Sequence, residues 1–411
     1  MIPIVERCAG LDVHQATVMA TVRVPDGAGG RRSETARWDA TTIGLLGLRD
    51  WLQAHGVTHV AMESTGIYWK PVYFILEDVP RLTVLLVNAQ HVKRVPGRKT
   101  DVQDSEWLAQ LLECGLLQSS FVPPPIIRDL RDLTRYRTHQ VRERAREVNR
   151  LHRVLEDAGL KLSSVATDVM GASGRAMLEA LLHGTTDAAV LADLAKGRLR
   201  RKLPELRAAL QGHFRAHHAL LLGQMLAKID FLEEAIASLT TEIDRVINPF
   251  ESVLTQLDTI PGIDRKAAVV LVAETGADMM RFPTAAHLAS WAGMCPGHDE
   301  SAGKRRSGRT RKANRYLRSV LIESALGASR VAHSPLQATY RRVRANRGHK
   351  KAIVATAHQL LRLAYAVMHD HAPYDATRVV LIDLRRRERA AHRHLRQLEH
   401  LGYRVTIQPA A

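Results

Sequence analysis

The segment Cys8-Ala9-Gly10-Leu11-Asp12-Val13 is a short apolar run with one acidic residue near its end, and it decides the first part of the fold. The same arrangement recurs in Val57-Thr58-His59-Val60-Ala61-Met62-Glu63. Both runs have the composition of buried β-strands. Asp101 and Asp104 stand three residues apart, just before the apolar stretch Trp107–Leu112. The chain therefore places four carboxylates at the ends of two predicted strands and beside a predicted helix.

The elements predicted for the first 125 residues follow a definite order. We predict helices at Thr41–Ala54, at Ile67–Leu76 and after Asp104, and strands at Val5–Val13, Ala16–Val24, Ser33–Trp38, Val57–Met62 and Leu82–Val87. Three leading strands followed by alternating helices and strands are typical of an α/β ribonuclease H domain. A Rossmann domain would begin β-α-β with a glycine-rich first turn, which this sequence lacks. We therefore predict a ribonuclease-H-like domain over residues 1–125.

The four acids predict a metal site in this domain. The first and fourth strands of such a sheet are neighbours, so Asp12 and Glu63 can reach one ion, while Asp101 and Asp104 share a helix face. Each acid alone is more simply a helix cap, for example of the helix at Trp107, or a surface residue. Together they predict Mg²⁺, which prefers oxygen ligands and in pairs cuts phosphodiesters. His14 alternates onto the face of Asp12, but its nitrogen is a poor Mg²⁺ ligand.

Two long helices are predicted between residues 126 and 250. The first, Ile126–Ala158, follows three prolines and has an apolar stripe made of Leu130, Leu133, Val141, Ala145, Val148, Leu151, Leu155 and Ala158. The second has apolar steps of three and four residues, as in a coiled-coil seam, at Leu222, Met225, Ile229, Leu232, Ile236, Leu239, Ile243 and Val246. The two helices can form an antiparallel hairpin or pair with another protomer, and the sequence leaves both open. Pro249 is predicted to end the second helix.

A mostly helical domain is predicted for residues 251–371. Its start contains a Pro261-Gly262-Ile263 turn between an apolar helix end and a helix of small residues, which resembles a helix–hairpin–helix. Such hairpins present backbone N–H groups to a phosphate, so Gly262 is a candidate nucleic-acid contact. An ordinary tight helix connection is the alternative.

The chain of 411 residues has a net charge of +17, and a protein this basic most often binds nucleic acid. A basic loop free of acids contains the candidate phosphate-binding residues Lys304, Arg305, Arg306, Arg309, Arg311, Lys312 and Arg315. The three cysteines lack the spacing of a metal site and indicate a reducing cytosol. We expect neither a signal peptide nor a membrane-spanning segment.

A serine directly precedes this basic loop. Ser301 lies in Asp299-Glu300-Ser301-Ala302-Gly303-Lys304, where small neighbours leave its hydroxyl accessible beside the predicted phosphate site. It can act as a nucleophile if its proton is removed and the phosphate charge is neutralised. From spacing alone, a loop serine that makes a local turn hydrogen bond is the simpler interpretation.

Taken together, the motifs resemble a known family, the DEDD transposases of the insertion sequence 110 family, also called bridge recombinases. The resemblance extends from about residue 7 to about residue 370, and its motifs are Gly10-Leu11-Asp12-Val13-His14, Met62-Glu63-Ser64-Thr65-Gly66, Lys99-Thr100-Asp101-Val102-Gln103-Asp104, Pro261-Gly262-Ile263, Trp291-Ala292-Gly293, Ser301-Ala302-Gly303-Lys304 and Asn314-Arg315-Tyr316-Leu317-Arg318.

The resemblance implies a RuvC-like domain, a coiled coil over residues 126–250 and a C-terminal transposase domain over residues 251–371. It makes Ser301 the nucleophile that joins covalently to a DNA phosphate, and it makes the Mg²⁺ ligands Asp12, Glu63, Asp101 and Asp104. It also implies a structured guide (bridge) RNA that pairs with donor and target DNA. The expected assembly is a homo-oligomer, a dimer or a tetramer of paired dimers, in the bacterial cytoplasm at the nucleoid.

Two positions depart from the family pattern. Ala302 and Ala313 stand where members often have glycine, and Ser307 is a competing nucleophile. The basic tail, residues 372–411, lies outside the shared region.

Two other functions fit part of the sequence. A RuvC-type nuclease that hydrolyses DNA with water would use the acids and leave Ser301 dispensable. A non-catalytic binding or architectural protein would leave the acids dispensable. The acid tetrad argues against the second, and the serine with its family context argues against the first.

Overall fold

The computed structural model describes residues 4–27, 29–64, 66–88, 101–295, 299–301, 304–307, 310, 313–376, 392, 395–400 and 402, with only the backbone for 101–103, 299–301 and 304–307. Its contacts divide the chain into two units, Met1–Val122 and Pro123–Ala411. The finer division predicted from the sequence, with boundaries at residues 125, 250 and 371, stays a prediction.

The first unit is built on a five-stranded mixed sheet. Its strands are β1 Cys8–Val13, β2 Thr17–Pro25, β3 Arg31–Asp39, β4 His59–Glu63 and β5 Thr83–Val87. The strand order is β3-β2-β1-β4-β5, with β1 antiparallel to β2 and parallel to β4. The helices described in this unit are α1 Thr42–Ala54, α2 Trp69–Leu76 and α3 Asp101–Glu113. These elements follow the order that the sequence predicted.

Alternation along β1 and β4 assigns their residues to two faces of the sheet. Leu11 and Met62 belong to one buried core, which also contains apolar residues of α1 and α2. Cys8 and Ala61 pack on the opposite face with Leu112 of α3. Burial raises the pKa of the Cys8 thiol to about 11, with the charge of Glu113 adding to the effect, so this thiol stays protonated at neutral pH.

Helix α3 lies unusually close to β1 because a glycine faces it. A Cβ atom on Gly10 would lie 2.1 Å from the carbonyl oxygen of Ser105 and 2.5 Å from the backbone nitrogen of Ala109. The buried hydroxyl of Ser105 is 2.8 Å from that of Thr21 on β2. Together these contacts fix the position of α3 along the sheet.

The second unit is helical. Its α-helices are α4 Pro125–Asp157, α5 Leu162–Val165, α6 Ala172–Leu182, α7 Ala188–Asp193, α8 Leu203–Ala209, α9 Ala216–Ile247, α10 Glu251–Asp258, α11 Arg265–Thr275, α12 Ala285–Trp291, α13 Arg315–Ala328, α14 Pro335–Arg347 and α15 His349–Asp370. Short 3-10 helices span Gly197–Lys202, Asn248–Phe250 and Met279–Arg281. None of the helices in the described ranges is long and apolar enough to cross a membrane.

The two long helices pair with each other within the chain as an antiparallel hairpin. Polar contacts run in opposite directions along them: Arg137 Nε donates to Thr240 Oγ1 at 2.7 Å and Arg144 Nε to Glu233 at 2.7 Å, while Lys228 lies 3.1 Å from Glu147. Of the two arrangements that the sequence left open, a hairpin within the chain and pairing with another protomer, the structure has the hairpin. Helix α9 ends at Ile247 and a 3-10 turn contains Pro249, so the helix ends close to the predicted place.

The predicted apolar stripe of α4 is wrong in its middle. Val141 is 41% exposed and Ala145 is exposed, whereas Gln140 and Glu147 are buried. Gln140 and Glu147 are seven residues apart and lie on one helix face, and ion pairing with Lys228 makes the burial of Glu147 tolerable. The seam of α9 fits better, since Leu222, Ile229, Leu232 and Ile243 are all buried.

A buried ion pair joins three helices of the second unit. Glu274, at the end of α11, is fully buried and accepts two hydrogen bonds from Arg135 of α4, at 2.8 and 2.7 Å. Asn314, which precedes α13, donates a third at 2.5 Å. Burial alone would lower the pKa of Arg135, but the hydrogen bonds and charge of Glu274 outweigh it and the pKa is raised. Arg135 therefore stays charged in this partly buried position.

We predict that Gly10→Ala separates α3 from the sheet. Overpacking of a core commonly costs about 1–3 kcal/mol, and we expect at least the upper end because the atoms in the way belong to the backbone. Urea denaturation followed by circular dichroism measures the loss. Gly223→Ala in α9 is the control: its nearest neighbour is a Leu182 side-chain atom at 3.7 Å, and alanine there is expected to stabilise slightly. Equal stability of the two variants would refute the close contact.

We predict that Glu274→Gln destabilises the second unit by about 3 kcal/mol, at the low end for a broken buried ion pair because Arg135 retains some solvent contact. The amide would leave Arg135, and Arg131 whose Nε lies 3.6 Å from Glu274, without a counter-charge, and it would present N–H groups to other donors. Glu242→Gln, which breaks the exposed pair with Arg245, should leave the urea midpoint close to that of the unaltered chain. A similar shift in both variants would contradict the assigned role of Glu274.

Candidate active site

The ends of β1 and β4 bring two of the predicted acids side by side. The strands are parallel, and Leu11 pairs with Met62, so Asp12 and Glu63 are the next residues in register. By alternation, Asp12 shares a face with Cys8 and Gly10, and Glu63 shares a face with Ala61. Both acids therefore lie on the face that α3 covers.

Helix α3 carries the other two predicted acids in its first turn. It begins at Asp101, so Asp101 and Asp104 are both inside the helix, and the interpretation of Asp104 as a cap for a helix starting at Trp107 is wrong. Ser105, which follows Asp104 in the helix, contacts β1 directly at Gly10. Asp104 is half-buried beside this contact. The side chain of Asp101 lies outside the described part of the structure.

His14 is a polar partner of Asp12. Its Nε2 lies 3.0 Å from Oδ2 of Asp12, and the side chains are 47% and 19% exposed. The sequence predicted that the two residues share a face. The hydrogen bond gives His14 a role in orienting a carboxylate, which does not require the imidazole to bind a metal itself.

The donor chemistry of this face fits a hard divalent cation. Asp12, Glu63 and Asp104 offer carboxylate oxygens from three neighbouring elements, and such cations prefer oxygen ligands. Their carboxylate oxygens do not all lie within 4.8 Å of one another. Among the side chains that the structure describes, the one group of three potential metal ligands with that spacing is Asp157, His217 and His218. The three acids thus lie on neighbouring elements of one face but do not form a closed cage.

The cluster of Asp157, His217 and His218 has a structural explanation. Nδ1 of the buried His218 accepts a hydrogen bond from the backbone nitrogen of Arg215, which caps α9. Its Nε2 lies 3.0 Å from Asp157, at the end of α4. This hydrogen bond holds the pKa of Asp157 below its usual value. Both ring nitrogens of His218 are occupied, so the cluster ties the two long helices together.

Ser301 lies on a β-strand, which corrects the prediction of a basic loop. Strand β6, Asp299–Ser301, pairs antiparallel with β7, Lys304–Ser307. Ser301 pairs with Lys304 and Glu300 with Arg305. Short charged strands carry no apolar alternation, but two residues containing a glycine between paired segments are a known hairpin signal. Arg309, Arg311 and Lys312 lie outside the described residues.

Hydrogen bonds hold Thr310 and Asn314, which lie between strand β7 and α13. Nη1 of Arg318 donates to Thr310 Oγ1 at 2.8 Å. Oδ1 of Asn314 accepts from the backbone nitrogens of the first residues of α13, at 3.1 Å each, while its amide group binds Glu274. Sequence reasoning missed Glu274, although an acid at the end of the apolar run Ala267–Ala273 is a signal for a buried ion pair.

Tyr316, the second residue of α13, is surrounded by arginines. The guanidinium carbons of Arg315, Arg135 and Arg142 lie 4.9, 5.0 and 5.9 Å from its ring centre. Cation–π attraction at these distances offsets part of the repulsion among the three charges. Of the predicted phosphate-binding residues, Arg315 is the one whose side chain the structure describes, and it is exposed.

Gly262 lies in the turn between α10 and α11, as predicted. Its φ is +91°, and a Cβ there would lie 2.4 Å from the carbonyl oxygen of Ser324 on α13. The side chain of Asp264 already accepts from the backbone nitrogen of Ala267 at 2.8 Å. Close packing on α13 therefore explains the glycine, and its contact with nucleic acid stays a prediction.

Two family models match the chain. Residues 9–159 match a DEDD transposase model of the IS110 type, and residues 254–341 match the transposase IS116/IS110/IS902 family. The first match contains the β1, β4 and α3 acids, and the second contains the Gly262 turn, the Ser301 hairpin and Glu274.

Curated relatives agree with these matches. The chain is 28% identical over 326 residues to a 42 kDa protein of insertion element IS900 from Mycobacterium paratuberculosis, which covers 71% of this chain and 80% of that protein. It is 29% identical over 163 residues to a 43.6 kDa protein of insertion element IS110 from Streptomyces coelicolor. It is 33% identical over 122 residues to the pilin gene-inverting protein of Moraxella bovis, covering 29% of this chain. The last two matches each span 38% of the relative.

The two model matches, taken with a relative aligned along most of both chains, agree with the motifs and with the acids at the ends of β1, β4 and α3. The chain therefore belongs to the IS110 family of transposases and is a DNA transposase or recombinase.

Proposed function

We propose that the first unit is a RuvC-like catalytic domain, and that the chain cuts and rejoins DNA by way of a covalent serine–DNA intermediate. The observation that carries the proposal is the placement of Asp12 and Glu63 at the ends of adjacent parallel strands, with Asp104 in the first turn of the helix that covers that face. Asp101, one turn earlier in the same helix as Asp104, completes the ligand set.

These carboxylates would hold Mg²⁺, which in such sites lowers the charge of a phosphodiester and of the groups that attack and leave it. The protein contributes rigidity. Gly10 fixes α3 against β1, Ser105 is held by Thr21, and His14 orients Asp12. Because the ligands come from packed elements, their separation changes little when a substrate binds.

Ser301 would perform the covalent step. Its Oγ loses a proton and forms a bond to a DNA phosphorus, and the bond from phosphorus to a deoxyribose oxygen breaks, so that this oxygen leaves as a hydroxyl. A hydroxyl of another strand reverses the step and releases the serine. The phosphoserine ester conserves the energy of the broken bond, which a water-using nuclease loses. Lys304, which pairs directly with Ser301 and so shares its face of the hairpin, carries charge that can stabilise the phosphate.

The partners in this proposal are nucleic acids and further copies of the chain. Donor and target DNA are the substrates, and a structured guide RNA selects them by base pairing. Support comes from the net charge of +17, from the basic residues between positions 304 and 318, and from the arginines of α4. A homo-oligomer would bring the acids of one protomer to the serine of another.

A nuclease that uses water in place of Ser301 is the second candidate. One observation favours it: the strands and the helix that carry the acids all belong to the first unit, so hydrolysis needs no group from the second. The two candidates differ in whether protein becomes joined to DNA.

We predict that Asp104→Asn lowers DNA cleavage by more than about 100-fold, since losing an outer partner of a metal ligand already costs 10–100-fold. The amide keeps the size of the side chain but removes the charge that holds a cation. The assay uses labelled DNA that contains the ends of the encoding element, with and without Mg²⁺. Asp50→Asn, an exposed acid of the same unit paired with Arg49, should cleave normally. Full cleavage by Asp104→Asn, or in the presence of a chelator, would refute the metal site.

We predict that denaturing gels of the enzyme with the same labelled DNA show a protein–DNA adduct. Ser301→Ala should abolish the adduct because it removes the attacking oxygen, and Ser307→Ala, at the end of the partner strand, should retain it. An adduct that persists in Ser301→Ala and disappears in Ser307→Ala would move the nucleophile to Ser307. Cleavage without any adduct in the unaltered protein would replace the recombinase proposal with the nuclease.

A further inference from the structure

Six exposed cations lie where α14 ends and α15 begins. We call this group the basic edge, and its members are Arg341, Arg342, Arg344, Arg347, Lys350 and Lys351. The sequence contains no acidic residue between Arg330 and His369. The basic edge is separate in sequence from the Ser301 hairpin, and five of its six residues lie beyond residue 341, where the family model match ends.

Packing holds the basic edge in one shape. Helices α14 and α15 pack on each other and are joined at Gly348, whose φ is +77°. The hydroxyl of Tyr340 lies 2.8 Å from Nδ1 of His349, which bridges the two helices across the turn. The guanidinium of Arg344 lies 5.9 Å from the centre of the Tyr340 ring. The cations therefore stand on a defined turn between two helices.

The charges of the basic edge are not neutralised locally. None of the six side chains lies within 4.0 Å of a carboxylate oxygen among the described residues, whereas Arg32, Arg49 and Arg245, also on the surface, each form an ion pair. Lys350 and Lys351 lie in the first turn of α15, where the helix dipole disfavours positive charge. An ordinary solvated surface mixes both signs, so the basic edge reduces stability without an internal gain.

We propose that the basic edge binds the phosphodiester backbone of a nucleic acid duplex. Arg341 to Arg347 span six helical steps, about 9 Å along α14, and phosphates of one strand rise about 3.4 Å per nucleotide. The last two turns of α14 are therefore long enough to span two or three phosphates, and the lysines of α15 extend that span. The proposal does not depend on the metal site or on Ser301.

The test compares two triple variants of the full chain that have the same net charge. One is Arg344→Ala with Arg347→Ala and Lys351→Ala. The matched control is Arg32→Ala with Arg49→Ala and Arg245→Ala, which removes three cations that already have acidic partners. Binding to a DNA duplex of unrelated sequence and to an RNA duplex, each of about 20 base pairs, is measured over a range of salt concentrations.

We expect the basic-edge variant to bind more weakly, with the log–log salt slope on DNA smaller in magnitude by up to about 2.7, since each neutralised phosphate contributes about 0.9. The control should keep the slope of the unaltered protein. A change on the DNA probe alone assigns the edge to DNA, and a change on the RNA probe alone assigns it to RNA. Slopes equal to those of the control on both probes would overturn the proposal. Circular dichroism checks folding, and the corresponding Gln variants replace any Ala variant that fails it.

Discussion

The contact between α3 and β1 at Gly10 is the constraint on which the first unit depends. Strand β1 is the middle strand of the sheet, and at Gly10 no side chain separates it from the backbone of α3. This closeness lets a helix carrying Asp101 and Asp104 begin beside the strand ends that carry Asp12 and Glu63. With any larger residue at position 10, the helix would sit farther from the sheet, and its acids with it. The glycine thus serves the site through packing, without touching substrate.

In the second unit the corresponding constraint is electrostatic. Glu274 is fully buried, and an isolated buried carboxylate is so costly that its partners must be supplied by the fold. Arg135 lies on α4, in the hairpin of the two long helices, and Asn314 lies between strand β7 and α13. An acid on α11 that two other elements must satisfy selects one arrangement of the three. In this way a residue remote from the chemistry in sequence positions the start of α13.

The sequence predicted most of the first unit because its patterns are local. Alternating apolar residues mark each strand, and the acids at the ends of Cys8–Val13 and His59–Glu63 were found before their register was known. What it could not predict was set by partners distant in the chain. Val141 is apolar and was expected on the buried face, but Lys228, 81 positions beyond Glu147, pairs with that acid and allows it to take the inner face instead. The strand at Ser301 was missed because its pairing with Lys304 leaves no apolar signal.

The distribution of positive charge follows from the same balance. A chain with a net charge of +17 repels itself, and folding brings its cations closer together. Where α4 and α9 meet, acids such as Glu147 and Glu233 compensate the basic residues, and around Tyr316 an aromatic ring lowers the cost. At the turn between α14 and α15 no acid pairs with the six cations among the described residues, and the Tyr340 ring lies near one of them, Arg344. Uncompensated repulsion of this kind is relieved when a polyanion binds, so the regions without acids are those where a nucleic acid adds most to stability.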